Sequence, residues 1–332
     1  MASCNTLAAN AHLDWSMAFL RDFTYKYLIH NVPAPCLLPS FVWFPGVEMN
    51  SSSLLARNLL RYHIRRSLCM QSDPFVLEKL SGKDDGIVLF RMNRPETKNA
   101  ISSLFLEKLR ASIAAVKFDK SVRVVVLKSD VEGAFCTGAD LKERKNMPLE
   151  KVPVFVDSLR SSFSELESLP QPVIAAIDGY ALGGGLEMAL ACDIRVATAE
   201  SRVGLTETKL AIIPGAGGTQ RLTRAVGPAI AKELIFTGRM IGGEEACRIG
   251  LVNHCVKTDA YSKALEIARE IIPRGPLAVR LAKIAIDTGS EVSLDNGLIV
   301  EQQCYAQVLP TKDRLEGLQA FMEKRPPSYK GE

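Results

Sequence analysis

The stretch VIAAIDGYALGGGLEMALACDIRVAT, residues 173–198, holds two apolar runs of strand length on either side of a glycine turn. Val173 to Ile177 is unbroken, as short runs in strands covered on both faces are, and Ile194 to Thr198, interrupted by Arg195, reads as the next strand. Between them Ala181-Leu182-Gly183-Gly184-Gly185 turns the chain, and Leu186 to Ala191 continues as an apolar helix. A strand, a turn, a helix and a second strand in this order predict an α/β unit with helices packed on sheet.

The same alternation extends outward in both directions. Gly86 to Met92 reads as a strand, followed by the turn Asn93-Arg94-Pro95. A helix is expected from about Ser102, with Leu106, Leu109, Ile113 and Val116 at helical spacing. Arg123 to Lys128 has the pattern of a buried strand, and a helix over Val154 to Leu169 is stopped by Pro170 and Pro172. Beyond about Gly227 the pattern predicts helices almost throughout. The expected organisation is therefore a core over 73–227 and a C-terminal helical lobe over 228–332.

At 332 residues the chain is long enough for roughly two units of about 150 residues. With 47% hydrophobic and 23% charged residues it can bury a sizeable core, which excludes a disordered chain. No apolar run reaches the roughly 18 residues of a membrane span, so the chain reads as soluble.

Charge is unevenly placed. Of a net +4, residues 49–72 alone contribute +4 through Arg57, Arg61, Arg65 and Arg66, with no acid, whereas 73–332 carry only +1. A body so near neutrality gives little support for nucleic-acid binding, which rests on phosphate neutralisation. The leader is Ser-rich, Arg-rich and acid-free, with Arg57, Arg61 and Arg65 four residues apart, as in an organellar transit peptide. On this reading Met49 is the physiological start and residues 1–48 are an upstream extension.

Several chemistries are disfavoured. The 8 cysteines include no C-x-x-C pair, so zinc ribbons and thioredoxin-like motifs lack support. Of the 4 histidines only His254 lies beyond residue 73, which leaves a Ser-His-Asp triad or a multi-histidine metal site resting on one residue of an apolar segment. Gly133-x4-Gly138 has Walker spacing but is followed by Ala139-Asp140 in place of Lys-Ser/Thr, and Gly215-Ala216-Gly217-Gly218 lacks the last glycine of a dinucleotide fingerprint.

What remains is two glycine-bearing turns and two carboxylates. The turns are Gly133 to Asp140 and Ala181 to Gly185, each after a strand. Consecutive glycines let backbone approach a ligand, and helix-start N–H groups attract negative charge. Two such turns suit an acyl oxygen that becomes an enolate. Tight strand–helix packing alone would also explain the glycines, and composition leaves both readings open. Glu187 lies three residues after Gly184, where helix capping is the simpler role, and Glu207 follows in Gly204-Leu205-Thr206-Glu207. Singly each is expected to be structural; as a pair beside an anion-stabilising turn they lead the acid/base candidates.

Four segments now carry a resemblance: Asn93-Arg94-Pro95 with Asn99-Ala100, Phe135 to Asp140, Gly183 to Glu187, and Ile213 to Gly218. In order and spacing they resemble the enoyl-CoA hydratase/isomerase (crotonase) family over roughly 75–332. The tail, Pro310 to Gly317 and Glu323 to Pro327, resembles the branch that includes AU-rich-RNA-binding methylglutaconyl-CoA hydratases.

The resemblance implies a spiral of ββα units with a C-terminal helical trimerisation lobe, and a homotrimer or dimer of trimers in the mitochondrial matrix. It implies an oxyanion hole made by the N–H groups of Ala139 and Gly184. The coenzyme A moiety would run along Ala139, Asp140, Leu141, Lys142 and Gly184, with Lys324 reaching its phosphates across a subunit contact. Glu187 would activate water for attack at C3 and Glu207 would exchange the proton at C2. No metal or cofactor is implied, because coenzyme A arrives with the substrate. The implied activity is hydration of a 2-enoyl-CoA thioester, with 3-methylglutaconyl-CoA as the rival substrate. The alternative from another class is RNA binding through the basic stretch 107–123.

Overall fold

The computed structural model describes residues 73–332. The expectations for 1–48 and 49–72 lie outside the described residues.

Among the described residues ten strands build two sheets: β1 (Phe75–Lys79), β2 (Ile87–Met92), β3 (Val124–Ser129), β4 (Ala134–Cys136), β5 (Val173–Ile177), β6 (Tyr180–Leu182), β7 (Ile194–Thr198), β8 (Arg202–Gly204), β9 (Ile241–Gly242) and β10 (His254–Val256). The larger sheet runs β1-β2-β3-β5-β7-β10 and the smaller β4-β6-β8-β9. Along the chain, a long strand joins the large sheet, a short one joins the small sheet, and a helix returns to begin the next turn. Thus β3, β5 and β7 are parallel neighbours in one sheet, while β4, β6 and β8 are parallel neighbours in the other. This is the expected ββα spiral. Among the described residues, only β1–β2 and β8–β9 pair antiparallel.

The apolar runs are continuous because both faces of the large sheet are covered. Successive side chains point to opposite faces. On one face Ile87, Leu89, Val124, Val126, Ile174 and Ala176 meet the helix Ala260–Ile271, whose Ala260, Ala264 and Ala268 at four-residue spacing allow close approach. The alternate residues Val88, Phe90, Val125 and Leu127 join the main core with Phe105, Leu109 and Phe163. Phe105 and Leu109 come from the helix Ser103–Lys117, whose N-terminus is capped by Ser102 Oγ accepting from the Phe105 amide. Its buried Leu106, Leu109, Ile113 and Val116 are the expected stripe.

The lobe after Gly227 is mostly helical, as expected, with two short strands besides. It contributes β9 to the small sheet and β10 to the large one, where His254, Cys255 and Val256 lie beside Val196, Ala197 and Thr198. Strands of two and three residues are too short to display a period of two, which is why the sequence pattern passes over them. His254 is exposed on this strand. The last three helices, Pro276–Gly289, Leu294–Val308 and Lys312–Glu323, bury little: none, Cys304 alone, and Asp313 with Ala320. Leu294, Leu298, Tyr305, Leu318 and Phe321 are exposed along them.

Candidate active site

Because β4 and β6 are parallel neighbours, with Cys136 opposite Ala181, the chain leaves both at the same end of the small sheet. The turn after β4 carries Gly138 at φ 94°, and the turn after β6 opens the helix Gly184–Leu190. The two turns touch: a β-carbon on Gly138 would lie 2.9 Å from the Leu182 carbonyl oxygen and 3.4 Å from the Gly184 nitrogen. Position 138 is therefore closed to other residues by conformation and by space. Ile101 donates to Gly138 O at 2.8 Å and accepts from Asp140 N at 3.0 Å, so the intervening Ala139 N–H is turned away from Ile101. Gly184 is the first helical residue, and its N–H has no acceptor within its own helix. A β-carbon on Gly184 would lie 3.7 Å from the Ala139 nitrogen, which places the two amides side by side.

Glu187, three residues into that helix, is 3% exposed. Its carboxylate does not cap its own helix. Oε1 instead accepts from the amides of Ala216 and Gly218, both at 2.8 Å, where the helix Gly218–Val226 begins. Burial pushes its pKa up, while the two amides and the charges of Arg221 and Arg160 act against the rise.

Glu207 begins a short 3-10 turn, Glu207–Leu210, and is half-buried. A β-carbon on Gly183 would lie 3.1 Å from Glu207 Oε1, so this carboxyl stands beside the glycine turn. Its Oε2 is hidden from water and has no hydrogen-bond partner among the described residues. Burial, and next the charge of Glu187, push its pKa up to about 7. The sequence-expected pair and both turns are thus brought together.

The remaining expected residues separate. Asp140 is buried and caps the helix Leu141–Lys145, accepting from Lys142 N at 3.0 Å and Glu143 N at 3.2 Å, and it pairs with Arg94 at 2.9 Å. Its side chain is spent on the protein, and so is its main chain, whose N–H goes to Ile101 O and whose carbonyl accepts from Arg144 N at 2.9 Å. Leu141 and Lys142 are exposed beside it. Lys324 is exposed at the C-cap of the last helix, and no hydrogen bond or ion pair ties it to the turns among the described residues.

Two of the five basic residues in the stretch 107–123 have an acidic partner, and a third is held by carbonyls. Lys108 pairs with Asp73 and Arg110 with Glu165, while Arg123 donates to the carbonyls of Ile272 and Arg274. No group of three or more metal-ligating side chains occurs among the described residues.

Two sets of residues escaped the sequence reading. Asn99 is fully buried at φ 58°, and its Nδ2 donates to Ser129 Oγ at 2.8 Å and to Phe135 O at 3.0 Å. Its Oδ1 accepts from Arg94 N at 2.8 Å, so it fastens the strand that leads into the first turn. Its only signal was its place in the Asn93–Ala100 string. The second set is the support of Glu187 by the loop 215–218, for which spacing gives no signal at all. A cleft of about 1170 Å3, bordered by Glu167, Asp193, Arg221, Lys283 and Glu291, lies behind that loop, and its lining includes none of Ala139, Gly184 and Glu207.

The comparisons with known proteins give the family. The model of the family described as enoyl-CoA hydratase/isomerase matches residues 82–332. Methylglutaconyl-CoA hydratase, mitochondrial, of Mus musculus is 54% identical over 265 residues, covering 78% of this chain and 84% of that protein. Enoyl-CoA hydratase domain-containing protein 2, mitochondrial, also of Mus musculus, is 51% identical over 260 residues, covering 77% and 88%. The crystal structure of an enoyl-CoA hydratase from Bacillus anthracis superposes with a TM-score of 0.76 at 50% identity, covering 78% of this chain and all of that one. The chain belongs to the enoyl-CoA hydratase/isomerase family and has the crotonase fold. Within that family it is an enzyme of the hydro-lyase class.

Proposed function

We propose that the chain adds water across the 2,3 double bond of a 2-enoyl-CoA thioester, using Glu187 and Glu207 as base and acid. The observation that carries this division is their unequal hydrogen bonding. Two amides on Glu187 favour its ionised form, whereas Glu207, half-buried and next to that charge, holds its proton to near neutral pH. Glu187 takes a proton from water as the oxygen bonds to C3. The electron pair of the double bond moves onto the thioester oxygen, held by the N–H groups of Ala139 and Gly184. Glu207 then delivers its proton to C2, and the proton on Glu187 returns to Glu207 through solvent. Each oxyanion donor is worth about 10²–10³ in rate and each acid or base about 10²–10⁴.

Coenzyme A enters as part of the substrate, along Ala139 to Lys142, and Lys324 reaches its phosphates from a neighbouring copy. The unburied apolar residues of the C-terminal helices support a trimer or dimer of trimers, with 73–227 as catalytic core and 228–332 as the associating lobe. The mitochondrial relatives support the matrix as its location. The 54% identity to a methylglutaconyl-CoA hydratase favours a branched acidic enoyl-CoA as a second reading of the substrate.

Kinetics on crotonyl-CoA and 3-methylglutaconyl-CoA side by side test both readings. A kcat/KM higher for one identifies the substrate class. Absence of turnover on either, in a folded protein, overturns the proposal.

A further inference from the structure

Glu187 is held by two peptide groups, and each is gripped at its far end. The peptide joining Gly215 to Ala216 donates its N–H to Glu187 Oε1 at 2.8 Å, while its carbonyl oxygen accepts from Nη2 of Arg160 at 3.0 Å. The peptide joining Gly217 to Gly218 donates to the same oxygen at 2.8 Å, and its carbonyl accepts from the amides of Gln220 and Arg221 at 3.0 and 2.9 Å. Between them, the Ala216 carbonyl accepts from Nη1 of Arg221 at 3.0 Å. Gly217 sits at φ 106°, and a β-carbon there would collide with that same Nη1. The Arg221 guanidinium is itself fixed by Glu167, with Nε–Oε1 at 3.0 Å and Nη2–Oε2 at 2.6 Å.

We infer that Arg160 and Arg221 are positioning residues for Glu187, acting through the main chain of 215–218 without touching the carboxylate. The inference rests on the reading of Glu187 as the base. The Arg160 cation on the Gly215 carbonyl polarises the peptide whose N–H goes to Glu187 and strengthens that hydrogen bond, because linked hydrogen bonds reinforce one another. Arg221 fixes the intervening Ala216 carbonyl and so the path of the loop. Each cation also adds a positive potential that favours the ionised carboxylate. The charged groups facing Glu187 are Glu207 from the turn 207–210, Arg160 with its neighbour Asp157 at 3.3 Å, and Arg221 with Glu167. Both arginines oppose what burial and Glu207 do.

Arg160 provides the decisive test, because its side chain is 53% exposed and its loss leaves no cavity. Arg160→Met is expected to lower kcat about three- to tenfold while KM stays within about twofold, since a loosened base costs rate more than binding. The acidic limb of kcat/KM should move upward by about half a pH unit, and Arg160→Lys should recover most of both effects. The 13C carboxyl resonance of Glu187, assigned by its disappearance in Glu187→Gln, should titrate at higher pH in Arg160→Met. A wild-type titration and pH profile in Arg160→Met, with an unchanged melting temperature, overturns the inference. Wild-type turnover in Glu187→Gln instead overturns the base assignment, and the carboxyl titration still reports whether the arginine acts on Glu187.

Discussion

Oε1 of Glu187 accepts two main-chain hydrogen bonds, whereas Oε2 of Glu207, equally hidden from water, accepts none. On the proposed mechanism this asymmetry assigns the part of base to Glu187 and the part of acid to Glu207.

The first consequence is a pH dependence with a fixed sign. Glu207 is pushed from 4.5 up to about 7 in the folded chain, so below pH 4.5 it is protonated in folded and unfolded states alike. Between about 4.5 and 7 the folded state holds the extra proton, and stability falls as pH rises. Glu207→Gln is therefore expected to stabilise the protein at pH 8, on the order of 1–2 kcal/mol, and to leave stability at pH 4.5 nearly unchanged. Urea unfolding at the two pH values measures this. Hydration by the wild type should decline as pH passes above about 7, and the variant should lose about 10²–10⁴ in kcat at any pH.

Gly184→Ala separates catalysis from folding. A β-carbon there would meet Ile101 Cδ1 at 3.4 Å and the Ala139 nitrogen at 3.7 Å, both ordinary contacts, and alanine suits a helix. The protein should keep its melting temperature within a few degrees. Yet the methyl group would stand between the two amides, so kcat should fall about 10²–10³-fold. Loss of stability in proportion to loss of rate would contradict the placement of these amides.

Asn99→Ala tests the fastening of the first turn. It removes the Asn99 partner from Phe135 O and Arg94 N, takes one of several hydrogen bonds from Ser129 Oγ, and puts alanine at φ 58°. We expect a loss of about 2–4 kcal/mol in denaturant unfolding. Asn99→Asp keeps the acceptor for Arg94 N but faces Phe135 O with a second acceptor, so it should be as damaging above pH 5. A near-native stability for Asn99→Asp would mean that the Nδ2 contacts are not what matters.

A fourth test concerns the C-terminal lobe. Lys283, with 9% of its side chain exposed, reaches Asp193 at 2.8 Å and joins the helix Pro276–Gly289 to the segment before β7. Burial raises the Asp193 pKa and Lys283 opposes the rise. Lys283→Met removes the countercharge and leaves that carboxylate the Val173 amide at 2.7 Å, so it should cost about 2–4 kcal/mol at pH 8. Lowering the pH to 5 should recover part of the loss as Asp193 takes up a proton, a difference visible in paired melting curves.

What the sequence displayed and what it hid have different ranges. The runs 173–177 and 194–198 were readable because both faces of the large sheet are covered, so patterning is local and complete. The stripe Leu106 to Val116 was readable because one helix face meets the core. Hidden were β9 and β10, whose two and three residues hold no full period, and the hydrogen bonds from Ala216 and Gly218 to Glu187, which span 29 and 31 residues. Glu187 itself was legible as an acid in an apolar helix, but its capping role was the wrong partner: the helix start it serves is Gly218, not Gly184. Arg160 and Arg221 carry no local mark, since surface arginines with acidic neighbours are ordinary.

The amides of Ala139 and Gly184 follow β4 and β6, whose separation is the common interstrand repeat of about 4.8 Å. The grip on an oxygen proposed for them would thus be a dimension of β-structure, untouched by whichever side chains line the acyl end. Such an enzyme can exchange one acyl preference for another by surface substitution while its clamp keeps the same gauge.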